Sequence, residues 1–153
     1  MNAVELLKDD HKKVSRLFEK VKADEDGDHK DTFEQIRAEL EVHTHIEETI
    51  FYPKMKEEGD EELKKLILEG IEEHHQAKIF LRELSNLVDD SEKFQPKLKV
   101  LMEDIEHHVM EEEGQMFPMI IEQFDEYTLQ MLGQEMEKAK KTFGKSNKTA
   151  SAR

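Results

Sequence analysis

The sequence predicts an all-α protein: an up-down-up-down four-helix bundle with a short additional C-terminal helix. Three observations carry this. Charged residues make up 39% of the 153-residue chain and hydrophobic ones 36%, with only six Gly and three Pro. That balance suits long amphipathic helices rather than sheets. Apolar residues recur at three- and four-residue spacing in four long runs. Short polar breaks separate the runs, so neighbouring helices pack antiparallel.

The elements follow in order. Asn2 can cap a first helix, on which Val4, Leu7, Val14, Leu17, Phe18 and Val21 form a stripe that includes His11. Ala23 to His29 is a polar break with a glycine. The second helix carries Phe33, Ile36, Leu40, His43, Glu47 and Ile50 and fades at Gly59–Asp60. Asp60 can cap the third, whose stripe is Leu63, Ile67, Ile71, His74, Ala77, Leu81, Leu84 and Val88. Asp89, Asp90 and Ser91 break the chain again. The fourth helix shows Leu98, Leu101, Ile105, His108, Glu112, Met116 and Met119. A shorter fifth segment follows Asp125, with Leu129, Leu132 and Met136. Residues 1–143 read as one domain and 144–153 as a disordered basic tail.

Composition narrows the function. A net charge of −14 argues against nucleic acid and anionic membrane surfaces as partners. With no cysteine, the chain forms no disulfide, thiolate metal site or iron–sulfur cluster. No apolar run approaches the ~18 residues of a membrane span, and no basic segment leads into an apolar one at the N-terminus. A cytoplasmic location is expected.

An internal repeat is the strongest signal. His43-Thr-His-Ile-Glu47-Glu48 leads to Tyr52-Pro53, and 65 residues later His108-Val-Met-Glu-Glu112-Glu113 leads to Phe117-Pro118. The positions ten, seven and three before each His are apolar: Phe33, Ile36 and Leu40, then Leu98, Leu101 and Ile105. Both His–Glu pairs therefore continue the buried face of their helices. His11 and His74 repeat in the same way, 63 residues apart. The spacing alone means little, because 26 of 153 residues are Glu. A third such pair, His107 and Glu111, follows Glu103 and Asp104 and reads as an exposed helix pair.

Four apolar stripes converge inside a bundle, so His11, His43, Glu47, His74, His108 and Glu112 meet in its interior. Unpaired carboxylates there are costly, and a cation between them relieves the cost. Imidazole and carboxylate donors suit iron, manganese or zinc, and six ligands exceed the four of a structural zinc. Two metals are favoured. His29, His45, His75 and His107 fall off the stripes or in a loop and are left out.

These residues resemble the hemerythrin-like family, the HHE cation-binding domain, over about Val4 to Phe124. The resemblance implies two oxo- or hydroxo-bridged non-haem iron ions, with zinc or manganese as lesser occupants. It implies Glu47 and Glu112 as bridges and the four histidines as terminal ligands. It also implies a partner that is dioxygen, peroxide or nitric oxide, in oxygen or iron sensing or handling. The family's oxygen carriers place a His four residues after the third-helix ligand, where this chain has Lys78. They place an Asp five residues after the last His, where this chain has Glu113. The second bridge thus lies between Glu112 and Glu113, and reversible oxygen storage is disfavoured. A peroxide-decomposing enzyme using the same centre, or a bundle with zinc or no metal, are the alternatives.

Overall fold

A computed structural model of the chain describes residues 1–24, 26–88 and 91–151, the last seven by backbone alone. Helix α1 spans Ala3–Ala23. Asn2 begins it with a reciprocal cap: its side chain accepts from the Glu5 N–H at 2.9 Å, and Glu5 accepts from the Asn2 N–H at 3.2 Å. After the first break, α2 spans Lys30–Ile46, a π-helical turn covers Glu47–Phe51, and α3 covers Tyr52–Glu58, making one long rod. Helix α4, Glu61–Asn86, starts at Asp60, whose carboxylate accepts from the Leu63 N–H at 2.9 Å. A second rod repeats the first: α5 (Phe94–Glu111), a π-turn (Glu112–Met116) and α6 (Phe117–Gln123). Helix α7 spans Glu126–Ser151 and packs against α1 and α2.

The two π-turns have one cause. Each sits just before a proline, Pro53 or Pro118. A proline inside an α-helix lacks its N–H and collides with the carbonyl four residues back. A widened turn relieves that collision, and the N–H of Tyr52 reaches back five residues to the Glu47 carbonyl. Phe117 does the same to Glu112. Both turns therefore begin at a repeated glutamate.

The apolar stripes do not merge into one core. Leu7, Ile46, Phe51, Tyr52, Met55, Ile67, Phe117 and Ile120 belong to one buried cluster. Val14, Phe18, Phe33, Leu40, Ala77, Leu81, Leu98 and Ile105 belong to another. On each rod and helix the stripe crosses from one cluster to the other at a histidine: His11, His43, His74 or His108. A polar layer thus separates two apolar ones.

Two expectations need adjustment. The fifth helix is 26 residues long rather than short, and Gly144, where the sequence predicts a tail to begin, lies within it. Its Gln, Glu, Met, Lys and Ala residues are strong helix formers, and docking on the bundle extends them. Val88 is exposed because α4 ends at Asn86, before the stripe reaches it. Asp89 and Asp90 of the predicted break, Glu25 of the first break and residues 152–153 of the predicted tail lie outside the described residues. No helix among the described residues is long and apolar enough to cross a membrane.

Candidate metal centre

The structure brings all six sequence-predicted residues together in the polar layer, each no more than 7% exposed. They form two groups of three, His11, His43 and Glu112 in one and Glu47, His74 and His108 in the other. Within each group the ligand atoms lie within 4.8 Å of one another. The carboxylates also link the groups. Glu47 Oε1 lies 3.0 Å from His74 Nε2 and 3.1 Å from His43 Nε2. Glu112 places Oε1 3.0 Å from His11 Nε2 and Oε2 3.3 Å from His108 Nε2.

These close pairs are not hydrogen bonds. Seven buried side-chain atoms among the described residues lack a hydrogen-bond partner: Nε2 of His11, His43, His74 and His108, both oxygens of Glu47, and Oε1 of Glu112. All seven belong to the six residues. Buried polar atoms are otherwise satisfied almost without exception. A set of inward-facing imidazole nitrogens and carboxylate oxygens left without partners fits metal ions.

The outward nitrogens are all engaged. His43 Nδ1 lies 3.0 Å from Asp10, His11 Nδ1 2.6 Å from Glu113, His74 Nδ1 3.3 Å from Glu48 and His108 Nδ1 2.6 Å from Glu73. A carboxylate on Nδ1 fixes that nitrogen as the donor and frees Nε2 to bind a cation. Without a cation the charges interact strongly. Burial alone would lower the pKa of His43, but Glu47 and Asp10 outweigh it and push it up to about 10. Burial opposes ionisation of Glu112, yet His108 and His11 hold its carboxyl well below the usual range. His74 and then Lys78 hold Glu48 down to about 2.

The hemerythrin HHE cation-binding domain model matches residues 2–120. The chain belongs to the hemerythrin HHE cation-binding domain family. A hemerythrin HHE cation-binding domain-containing protein from Mycobacterium kansasii, solved by crystallography, shares the fold with a TM-score of 0.79. It is 25% identical, and the match covers 95% of this chain and 89% of that one. An uncharacterised hemerythrin-like protein of Schizosaccharomyces pombe is 28% identical over 133 residues, 86% of this chain and 66% of its own length. A DNA nickase of Nostoc sp. is 27% identical over 124 residues, 78% of this chain and 34% of its own. The chain therefore spans less than two thirds of the length of either curated relative.

Within this hemerythrin-like domain, Glu112 and Glu113 face opposite ways. Glu112 is buried between the two groups, while Glu113 turns outward to His11. Glu48 plays the matching part for His74. Lys78 does not enter the layer; it pairs with Glu48 at 2.7 Å. His75 is exposed, and His29 is buried as a latch between Gln95 and the Asp24 carbonyl, away from the centre. Sequence reasoning missed Asp10, Glu73 and Tyr52. Tyr52 is fully buried, stacks on His74 with centroids 5.3 Å apart, and donates its hydroxyl to Glu112 Oε2 at 2.5 Å. The repeat held its signal: Tyr52 and Phe117 both precede the proline, and Phe117 stacks on His11 at 6.0 Å.

Proposed function

We propose that this domain holds two non-haem iron ions in the polar layer, which His11, His43, Glu47, His74, His108 and Glu112 would hold, and binds dioxygen, peroxide or nitric oxide in oxygen or iron sensing or handling. The observation that carries the reading is the set of seven partnerless inward atoms, all on the six repeated residues. Iron bound there supplies redox chemistry and a site for a small oxidant. The chain supplies the rest. Each group receives two imidazoles, and the two carboxylates are shared. Lys78 stands where the oxygen carriers have a further histidine, so fewer donors crowd the site than in that pattern. The apolar clusters on either side exclude bulk water.

Metal analysis tests this directly. Protein from iron-replete cells carries about two irons per chain and, when oxidised, the near-ultraviolet absorption of a bridged ferric pair. Glu47→Ala and Glu112→Ala lose both. Folded protein that comes out with zinc or with no metal from the same cells contradicts the reading.

Tyr52 favours a second reading, a peroxide-decomposing enzyme on the same centre. Burial and then the charge of Glu112 raise its pKa well above the usual value, so the hydroxyl keeps its proton at Glu112. Oxygen release from peroxide by the iron-loaded protein, reduced in Tyr52→Phe with iron content unchanged, supports this reading over simple binding.

A further inference from the structure

Four carboxylates hold the outward nitrogens of the four histidines, and one of them differs from the rest. The side chains of Glu113, Glu73 and Glu48 are 37%, 30% and 25% exposed, so water shares their charge. Asp10 is 2% exposed. Its Oδ2 meets His43 Nδ1, and its Oδ1 takes a charged hydrogen bond from Lys140 Nζ. A buried carboxylate without water needs cationic partners, and Lys140 is the one that is not itself a layer residue.

Lys140 comes from α7, which lies beyond the residues 2–120 matched by the family model. Helix α7 is fixed on the bundle by Leu129, Leu132 and Met136, all buried in the same cluster as Leu7 and Phe117. Gly133 lets it come within backbone contact of residues 1–3. Lys140 then falls one turn past Met136, over Asp10, with its own side chain only 23% exposed. The arrangement is a relay from an added helix to a ligand: Lys140 to Asp10, Asp10 to His43, and His43 Nε2 into the layer. Among the described residues, no equivalent relay reaches the other group from α7. His74 and His108 are held by Glu48 and Glu73, and Glu48 draws its lysine, Lys78, from α4.

We propose that Lys140 is a positioning residue for the metal centre: by neutralising buried Asp10 it sets His43, so that retention of the ion in the His11–His43–Glu112 group depends on the docked helix α7. The inference rests on the two-ion reading above. Carboxylates behind histidine ligands commonly change metal affinity 10–100-fold when altered. The lysine that fixes such a carboxylate inherits part of that effect. Because it acts on one histidine, it acts on one ion.

The test follows iron release from the full-length, iron-loaded protein into an excess of a ferrous chelator. In Lys140→Met one of the two ions leaves roughly tenfold faster than in the parent, and the other leaves at the parental rate. Lys140→Arg restores the slow phase. Lys138→Met, which changes an exposed lysine on the same helix, leaves both phases alone. Asp10→Asn removes the buried charge, and Lys140→Met made in that background adds nothing, because the lysine acts through the aspartate. That comparison also stands if Lys140→Met alone does not fold. Unchanged release in Lys140→Met, equal acceleration of both ions, or additive effects of the two substitutions overturn the proposal. A parent chain that takes up no iron overturns the two-ion reading itself and this inference with it.

Discussion

Each histidine of the layer has one nitrogen assigned to a carboxylate and the other left bare, and this division leaves donors for a cation that a set of buried ion pairs would not. A buried imidazole whose two nitrogens both found protein partners would have nothing left to offer a cation. Tyr52 adds an asymmetry to the repeat. Its partner position is Phe117, which has no hydroxyl, so only one carboxylate receives a phenol. Gly70 makes room for it: a Cβ there would lie 3.1 Å from the Tyr52 hydroxyl oxygen. Tyr52→Phe should therefore keep the stacking on His74 and lose the bond to Glu112. In chelator-treated protein the expected loss is about 1.5–3 kcal/mol in urea unfolding, the range for a hydrogen bond to a charged group. An unchanged unfolding midpoint would show that Glu112 finds another donor. The six inward residues were legible in the sequence because His43–Glu47 and His108–Glu112 recur on the same apolar face. The carboxylates behind them were legible only in part. Glu48 and Glu113 stand in the repeat, but spacing does not say whether they face the layer or turn outward, and Asp10 and Glu73 reach their histidines from other helices with no repeated signal.

Among the elements, the rods and α7 diverge from a simple periodic reading for different reasons. The apolar stripes gave the four long helices and their faces, since three-and-four spacing is a direct consequence of helical geometry. The π-turns were not read, because hydrophobic period cannot register one extra residue. The proline six residues after each repeated glutamate was their only sign. The length of α7 escaped for another reason: past Met136 its apolar contact thins to Ala139, and the contacts that follow are a polar one of Lys140 and a ring contact of Phe143 with His45 at 4.8 Å. Gly133 tests the docking of this helix. A Cβ there would lie 2.3 Å from the Met1 carbonyl oxygen and 2.9 Å from the Asn2 carbonyl carbon. Alanine is the better helix former by about 1 kcal/mol, so an undocked helix would gain from Gly133→Ala. The docked one must instead shift, at about 1–3 kcal/mol for overpacking. A lowered melting temperature, with faster hydrogen exchange in α7, is the expected result. A raised one would mean that α7 stands off from α1.

At the scale of the whole molecule, a layer of buried charge between two apolar clusters makes stability depend on what fills the layer. In chelator-treated protein, protons take the place of cations on the histidines. His43 illustrates the consequence, with its pKa raised from 6.5 to about 10 by Glu47 and Asp10 against the opposing effect of burial. The folded state then binds a proton that the unfolded chain releases above about pH 6.5. The stabilisation is fully present below that pH and is lost as pH rises through about 10. His74 and His108 are shifted in the same direction, which adds to the slope. Bound metal replaces these protons, so loading releases protons and removes the reason for the decline. Melting temperatures measured from pH 6 to 10 should thus fall steadily for chelated protein and stay nearly level for loaded protein, so that the metal-induced gain widens with pH. Toward acid the gain disappears: protons compete for Nε2 and the carboxylates, and the loaded protein loses its advantage as the metal leaves. Parallel curves for the two forms across this range would mean that the layer histidines keep the same protons with and without metal. They would then not be its ligands.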